Sequence, residues 1–477
     1  ADYCENDVRA TEAVFYANQA DWIARLILAA MADSIPNDTT NSLTAKIIFG
    51  RNRKPQISFN YRNMGDTKEI DINKSAEIAS RISAIHTEYT KFRSDGKPVF
   101  PGYIFDAGKS WYRDEDPGEG GYVYANPGIW WNVDLLDIES MHPSSIEDEE
   151  LFGEYTKNFS TIKQIRVYAK HFDADKLKDS LYSLLTALHG EERAEIILNN
   201  VIKDFDEETM KNLAYALKIA INSVYGLTAA KFENVFKDNR NIDNIVAKRG
   251  ALFMINLKHE VESRGYTVAH IKTDSIKIPN SDDTIRDFVI AYGHAYGYNF
   301  VREANYEKMC LVNNAVYIAK YSADPVNGKH TGEWTATGAQ FQVPYVFKTL
   351  FSHEDVIFTD LCETKTVTTA MYLDMNENLS ENEHNYIFVG KVGLFCPVRP
   401  GCGGGDLLRQ SKDTYNSVTG AKGWKWLEAD YISNSQKYEI IDMDYYNELV
   451  DEAEKSIRVY DGADDFLEER SMKKVIF

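Results

Sequence analysis

Asp137-Ile138-Glu139-Ser140-Met141-His142-Pro143-Ser144 follows directly on the run Ile129-Trp130-Trp131-Asn132-Val133-Asp134-Leu135-Leu136. That run is short, aromatic and branched, and predicts a buried strand. Pro143 and the serines around it predict a turn, then a helix start whose free N–H groups suit a phosphate. Asp137 therefore falls at a strand end, where a carboxylate meets solvent and a cation. A turn or cap aspartate is the competing reading of this segment taken alone.

Two further segments work outward from it. From Glu207 to Tyr225 the pattern is helical. Met210, Leu213, Leu217, Ile221 and Val224 define a buried face, and Lys211, Lys218, Asn222 and Tyr225 form a second, polar stripe. A lysine suits a triphosphate as a point charge, and a tyrosine offers a base a stacking surface. A plain solvated face is the alternative. Gly226 is expected to end the helix. Beyond it, Tyr266 to Ile271 predicts a strand, and Lys272-Thr273-Asp274-Ser275 a tight hairpin with Asp274 at its tip. Ile276-Lys277-Ile278 reads as a half-buried strand by its alternation. Hairpin aspartates are usually structural when alone. Here two carboxylates at strand ends frame a cation and a ring on one helix face.

Composition bounds the reading. At 477 residues the chain exceeds one core and predicts about two to four domains or subdomains. No apolar run is long enough for a transmembrane helix, and the N-terminus does not read as a signal peptide, since Asp7, Arg9 and Glu12 break its first apolar stretch. The five cysteines (Cys4, Cys310, Cys362, Cys396, Cys402) are scattered and odd in number, which fits free thiols in a reducing compartment. Formal charge is 53 − 73 = −20. That is unlike the basic footprint of most nucleic-acid binders, but net charge reports solubility rather than local chemistry.

The three segments, in this order, resemble the polymerase portion of a family B DNA polymerase of phage type. The family's motif A, D-x-x-S-L-Y-P-S-I, is followed from Asp137 to Ile146 with one extra residue. Motif B, K-x-x-x-N-S-x-Y-G, is matched at every fixed position by Lys218 to Gly226. Motif C, D-T-D-S, is matched at three of four positions by Lys272 to Ser275. Gly120-Gly121-Tyr122, after Tyr112, is similar to the Y-x-G-G region ahead of motif A, and Lys320-Tyr321 to the end of K-K-R-Y. Tyr3 and Asp7 resemble the third exonuclease motif, Y-x-x-x-D, without its upstream partners. The resemblance is good over residues 100–345. It implies the C-terminal portion of a longer or split polymerase, with no proofreading by this chain alone.

The fold so implied is α/β (α+β), a right hand with an antiparallel-sheet palm and helical fingers and thumb. It divides the chain into the end of an exonuclease-like domain (1–30), a polar, irregular connecting region (31–98), palm (99–152 and 226–345), fingers (153–225) and thumb (346–477). The activity implied is template-directed addition of deoxynucleotides to a primer 3′-end. Two Mg2+ ions are expected on Asp137, Asp274 and the Ile138 carbonyl. Ser140, Met141, His142, Arg166, Lys170, Lys218 and Asn222 are expected to hold the nucleotide, with Lys163 on the face of Arg166 and Lys170. Tyr225, Gly226, Lys272, Lys320 and Tyr321 are expected to face primer and template. The partners implied are primer–template DNA, deoxynucleoside triphosphates and a separate N-terminal exonuclease fragment or subunit, with no membrane, in the cytoplasm of an infected host cell.

Two departures stand out. Lys272 replaces the first motif C aspartate, and His142 replaces the tyrosine that helps reject a 2′-hydroxyl. The rival reading is a non-catalytic DNA-binding relic. A reverse transcriptase or primase is disfavoured by the N-S-x-Y-G segment. Pro397 to Gly405 lacks the G-K-[ST] ending of a phosphate loop and reads as structural. Lys422, Trp424, Lys425 and Trp426 suit either duplex contact or packing.

Overall fold

The computed structural model describes residues 2–59 and, apart from 107–108, 202–205, 239–240, 242–243, 324–325, 327–330, 378, 381–382, 413, 469 and 471–473, residues 104–476. A small hairpin, β1 (Ile104–Asp106) and β2 (Lys109–Trp111), precedes β3 (Val123–Ala125) and β4 (Gly128–Ile138). Later come β5 (His270–Lys272), β6 (Ser275–Pro279), β7 (Phe300–Asn313), β8 (Val316–Tyr321) and β9 (Trp334–Thr337). Strands β3 to β9 form one sheet, in the order β3-β5-β6-β4-β7-β8-β9, and every pairing is antiparallel.

The aromatic and branched residues that predict β4 place it at the centre of this sheet, between β6 and β7. Its side chains alternate between two cores. Leu136 and Ile138 enter one shared with Phe253 and Val289 of the helices Ile245–Glu262 and Asp283–Ala295. Val133 and Leu135 enter another with Ala304, Tyr306 and Met309. By this alternation Asp137 shares a face with Val133 and Leu135, away from those two helices.

Helices fill the excursion between β4 and β5. Met141–Asp148 leaves β4 directly, with Pro143 in the first turn, where a missing N–H costs nothing. Thr156–Lys170, Ala174–His189, Glu191–Val201 and Glu207–Thr228 follow. Asp206 caps the last of these by accepting from Thr209 N at 2.7 Å. The helix continues through Gly226, against the expectation that glycine ends it. Leu227 and Thr228 are still buried in the core, and Thr228 Oγ1 donates to Tyr225 O at 2.8 Å, so packing outweighs the glycine.

Two N-terminal helices, Gln19–Met31 and Thr40–Phe49, pack on this same helix. The second corrects the irregular reading of the stretch after residue 31. Thr39 caps it, accepting from Ser42 N at 3.2 Å, and Leu43, Ile47, Ile48 and Phe49 bury its inner face. The rest of that stretch, 60–98, lies outside the described residues.

The expectation of a helical thumb is also corrected. Beyond β10 (Val356–Ile357) the chain builds β11 (Glu363–Asp374), β12 (Tyr386–Val398), β13 (Asp406–Ser411), β14 (Thr414–Ser417) and β15 (Lys425–Glu428). These form an antiparallel sheet in the order β14-β13-β11-β12-β15. The amphipathic helix Met443–Arg458 closes its core with Tyr445 and Tyr446. Glu363–Thr366 and Met371–Asp374 of β11 pair with β12 on one side, and Met371–Asp374 with β13 on the other, a ladder that a helix would not allow.

Candidate active site

Backbone pairing sets the geometry. Asp137 lies opposite Ser275 in the β4–β6 register. Ile138 N donates to Asp274 O at 2.9 Å, and Thr273 N to Tyr122 O at 2.9 Å. The two-residue turn Thr273-Asp274 between β5 and β6 is thus stitched to the end of β4 on one side and to the Gly120–Tyr122 turn on the other. Thr273 sits at φ +59°, a left-handed conformation that is costly for a β-branched residue. Tyr122 is held in turn, because its hydroxyl donates to Glu115, which also takes Lys258 at 2.8 Å.

Asp137 and Asp274 therefore meet at one end of the central strands β4 and β6. Burial, reinforced by the charges of Asp274 and Glu303, pushes Asp137 up to about 7. Burial likewise raises Asp274, with Glu303 adding to it. Asp134, three residues earlier on the same strand, is the contrast. Burial would raise it, yet hydrogen bonds from Ser281, Asn305, Arg302 and Arg286 outweigh burial and hold its carboxyl low. Asn305 reaches it at 2.8 Å and Arg302 at 2.7 Å. Asp134 is a satisfied structural carboxylate. Asp137 and Asp274 are two neighbouring carboxylates whose burial is not offset in this way.

Glu303 and Lys277 were missed from sequence. Glu303 falls in the β4–β7 register shift, where Leu135 pairs with Ala304 and Leu136 with Arg302. A bulge of this kind re-aims a side chain, and its sequence signal is a break in alternation at Arg302-Glu303. Lys277 was read on a half-buried strand. It is buried, donating to His270 Nδ1 at 3.2 Å, while His270 Nε2 lies 3.2 Å from Asn314 O. Burial and the charge of Lys272 bring Lys277 down to about 8, against the pull of Asp137, Glu303 and Asp274. A buried ammonium thus underlies the two carboxylates. Among the described residues no group of three or more His, Cys, Asp or Glu side chains is arranged to hold a metal ion.

The helix Met141–Asp148 starts beside this end of β4. Ser140 precedes it at φ +60°. Met141 is buried against Gly250, where any Cβ would come 2.5 Å from its sulfur, so it supplies backbone rather than side chain to the site. The ring of His142 stacks on that of Tyr225, with centroids 3.9 Å apart and planes at 16°. Burial lowers His142 to about 4, so it is neutral at physiological pH. Its Nδ1 has no hydrogen-bond partner among the described residues. Asn244 Nδ2 donates to the Tyr225 hydroxyl at 3.2 Å and fixes the ring from behind. Asn244 was not singled out from sequence, since nothing local links it to Tyr225.

Lys218 and Asn222 are exposed on the Tyr225 helix, as is Gly226. Neither Lys218 nor Arg166 nor Lys170 is ion-paired among the described residues. Lys163, on the same helix as Arg166, is instead committed to Ser144 Oγ at 2.9 Å and to Glu147. Lys211 pairs with Glu207 at 2.5 Å. Lys272 is exposed beside the turn and has no carboxylate partner among the described residues, Asp274 included.

Other expected positions fall elsewhere. Lys320 and Tyr321 lie on β8, two strands from β4, where Lys320 pairs with Glu468 at 2.8 Å and Tyr321 packs on Tyr306. Tyr3 and Asp7 lie on the helix Asp2–Ala17, their side chains outside the described residues. In the glycine-rich loop, Gly401 N and Gly403 N donate to the carboxylate of Glu377, so its N–H groups serve an internal anion. Trp426 is buried, donating to Ala421 O at 3.0 Å, and Lys425 pairs with Asp406 at 3.1 Å. No helix among the described residues is long and apolar enough to cross a membrane.

No family model matches this chain, and no curated protein matches it. Among solved structures it is similar to the family B DNA polymerase from the hyperthermophilic archaeon Pyrobaculum calidifontis, with a TM-score of 0.39 and 14% identity over 81% of this chain and 51% of that one. The chain thus spans about half the length of that polymerase.

Proposed function

We propose that the chain is a template-directed DNA polymerase of the family B right-hand type, extending a primer 3′-end with deoxynucleotides. The observation that carries this reading is the meeting of Asp137 and Asp274, both raised by burial in a place with no side chain to neutralise them fully. In this reading the β3–β9 sheet is the palm, the helices between Met141 and Thr228 are the fingers, and the C-terminal sheet takes the place of a thumb.

The donor set fits a hard divalent cation. It is all oxygen, carries two negative charges, and gains by neutralisation what burial costs it. Asp137 and Asp274 would hold Mg2+, with the Ile138 carbonyl, water and substrate phosphates completing the ligands. Bound there, two such ions would supply charge stabilisation at the attacking and leaving oxygens of an in-line displacement.

The chain's own residues do the rest. Lys218, Arg166 and Lys170, unpaired among the described residues, present cations to a triphosphate. Asn222 lies one helical turn beyond Lys218 and Tyr225 two, beside the nascent base pair. The His142–Tyr225 ring pair forms an apolar floor for sugar and base. Lys277 tempers the repulsion of the carboxylates from beneath without occupying the site.

Extension of a primed template with Mg2+ tests the proposal. Asp137→Ala and Asp274→Ala should each slow extension by about a thousandfold, the scale of losing one electrostatic contact to a transition state. Wild-type rates from Asp137→Ala would rule out the assignment. A folded wild-type chain that binds primed DNA without extending it would make the chain a DNA-binding relic instead.

A further inference from the structure

Two sulfurs touch in the C-terminal sheet, which is separate from the sheet that carries Asp137. Cys362 Sγ lies 3.3 Å from Cys396 Sγ. Backbone pairing puts them there. Glu363, at the start of β11, pairs with Phe395 of β12. Cys362, one residue earlier, is still extended at φ −117° and ψ 134°, so it prolongs the strand and comes opposite Cys396. Side chains opposite one another on antiparallel strands are within reach of each other. A disulfide holds its sulfurs about 2.05 Å apart, so this pair has about 1.2 Å left to close.

The two thiols are free but unequal. Cys396 is fully buried, in a core with Phe395, Trp426 and Tyr446. Cys362 is half-buried, and its sulfur also donates to Phe358 O at 3.3 Å. The hydrogen bond from Cys396 holds the Cys362 thiol below its ordinary value, against burial, which would raise it. The same bond, together with burial, holds Cys396 above its ordinary value. Asp360, whose charge opposes ionisation of Cys362, is paired with Lys348 at 2.8 Å. One sulfur is thus reachable and readier to ionise, and the other is hidden beside it. That is the arrangement of an attacking thiol and a resolving one. Among the described residues Cys310 and Cys402 have no sulfur partner.

We propose that Cys362 and Cys396 form an oxidation site for hydroperoxides, with Cys362 attacking and Cys396 resolving, and that the disulfide so made locks β11 to β12. The Cys362 sulfur attacks the O–O bond of the peroxide. It keeps one oxygen as a sulfenic acid, and the other leaves as water or an alcohol with the thiol proton. The Cys396 sulfur then attacks the Cys362 sulfur. An S–S bond forms, the S–O bond breaks, and the hydroxyl leaves as water with the Cys396 proton. Two thiols lose two electrons in all, and the peroxide gains them. The chemistry stands whether or not the chain is a polymerase.

The bond would close a loop of roughly 35 residues that spans the β11–β12 hairpin. It would form next to Leu361, whose carbonyl accepts from the Tyr446 hydroxyl of the helix Met443–Arg458 at 2.6 Å. The entry to the sheet would then be fixed both to its neighbouring strand and to the helix that closes its core.

Hydrogen peroxide added to the reduced full chain tests the proposal. Intact mass after removal of peroxide should fall by about 2 Da. Mapping after alkylation in denaturant should join the peptides that hold Cys362 and Cys396, and dithiothreitol should reverse both changes. In Cys396→Ser the sulfenic acid has no resolving sulfur, and dimedone should capture it at Cys362. In Cys362→Ser dimedone should capture nothing at Cys396. Amide hydrogen exchange in β11 and β12 should slow by about tenfold in the oxidised chain. The wild-type mapping decides by itself should Cys396→Ser fail to fold. Two thiols still free in excess peroxide, a bond through another cysteine in place of this one, or Cys362 running on to a sulfinic acid beside a free Cys396 overturns the site. A dimedone adduct at Cys396 in Cys362→Ser overturns the assignment of roles. Unchanged exchange in the oxidised chain overturns the lock.

Discussion

Gly121 backs directly onto Thr273: a methyl group in place of its α-hydrogen would lie 2.7 Å from Cγ2 and 3.0 Å from Oγ1 of the threonine. Gly121 also sits at φ +144°, which a side chain resists. The turn carrying Asp274 is thus shaped from behind by a residue far away in sequence. Gly121→Ala should cost about 2–4 kcal/mol, from backbone strain and overpacking together. Because the clash pushes on the Asp274 turn, extension should fall by about a hundredfold, the effect of a misplacement near 1 Å. Urea midpoints and primer-extension rates measured on one preparation check both, and a variant as active as wild type would sever Gly121 from the site.

Asp137 makes stability depend on pH in a direction opposite to most aspartates. Its folded value is raised, from an ordinary 3.8 to about 7. Between those limits the unfolded chain binds fewer protons than the folded one at this group, so its contribution to stability falls as pH rises. The contribution is intact below about pH 4, declines to about pH 7 and is level beyond. Asp137→Asn removes it. The stability of the variant relative to metal-free wild type should therefore grow from pH 4 to pH 7 and then level off. Mg2+ should raise the melting temperature of wild type at pH 8 and hardly at pH 5, and should leave the variant unmoved. A difference curve flat with pH would mean that Asp137 is compensated.

How much of this was legible follows from how local each signal is. The strand ending at Asp137 and the hairpin at Asp274 were readable because alternation, proline and turn residues act within a few positions. The stripe of Lys218, Asn222 and Tyr225 was readable from the helical period. Lys277 was not, since Ile276-Lys277-Ile278 looks identical whether its lysine meets water or His270. Glu303 depends on a mismatch between β4 and β7, a property of two strands and not of one. Asn244 reaches Tyr225 only because the helix runs past Gly226 and the chain folds back. The C-terminal sheet was missed because the resemblance reached it by position alone, and its pairings span long separations in sequence.

The His142–Tyr225 stack predicts a titration that a loose surface histidine would not show. Burial holds His142 at about 4, below its ordinary 6.5. Tyr225→Ala removes one covering ring, so the imidazole should titrate closer to 6.5, read from its ring-proton chemical shifts. The same substitution should cost about 0.5–1.5 kcal/mol beyond lost burial, the worth of an aromatic pair. The depressed value makes wild type lose stability from this group as pH falls from 6.5 towards 4, and Tyr225→Ala should shrink that loss. His142→Tyr should raise discrimination against ribonucleotides, because the larger phenol crowds a 2′-hydroxyl. Equal incorporation ratios for wild type and the His142→Tyr variant would detach this position from sugar choice.

Arg249 predicts a strong, non-additive effect far from the carboxylates. It is fully buried on the helix Ile245–Glu262. Its Nε donates to Glu149 at 2.6 Å, and its Nη2 to Asp148 at 2.6 Å and to Tyr296 O at 2.9 Å. The guanidinium also lies over the Tyr298 ring, 4.9 Å from its centroid. Two carboxylates at the C-terminal end of Met141–Asp148 oppose that helix's dipole, and Arg249 offsets them. The other end of the helix carries His142 to the candidate site. Arg249→Ala should cost about 3–5 kcal/mol, because the buried Glu149 carboxylate loses the guanidinium that Arg249 Nε brings to it. Arg249→Met should be nearly as harmful alone, yet Glu149→Gln/Arg249→Met should recover a large part of the loss, since the stranded charge is gone. Chemical denaturation of the two single variants and the double one measures that coupling, and additive losses would show that Arg249 serves only as packing.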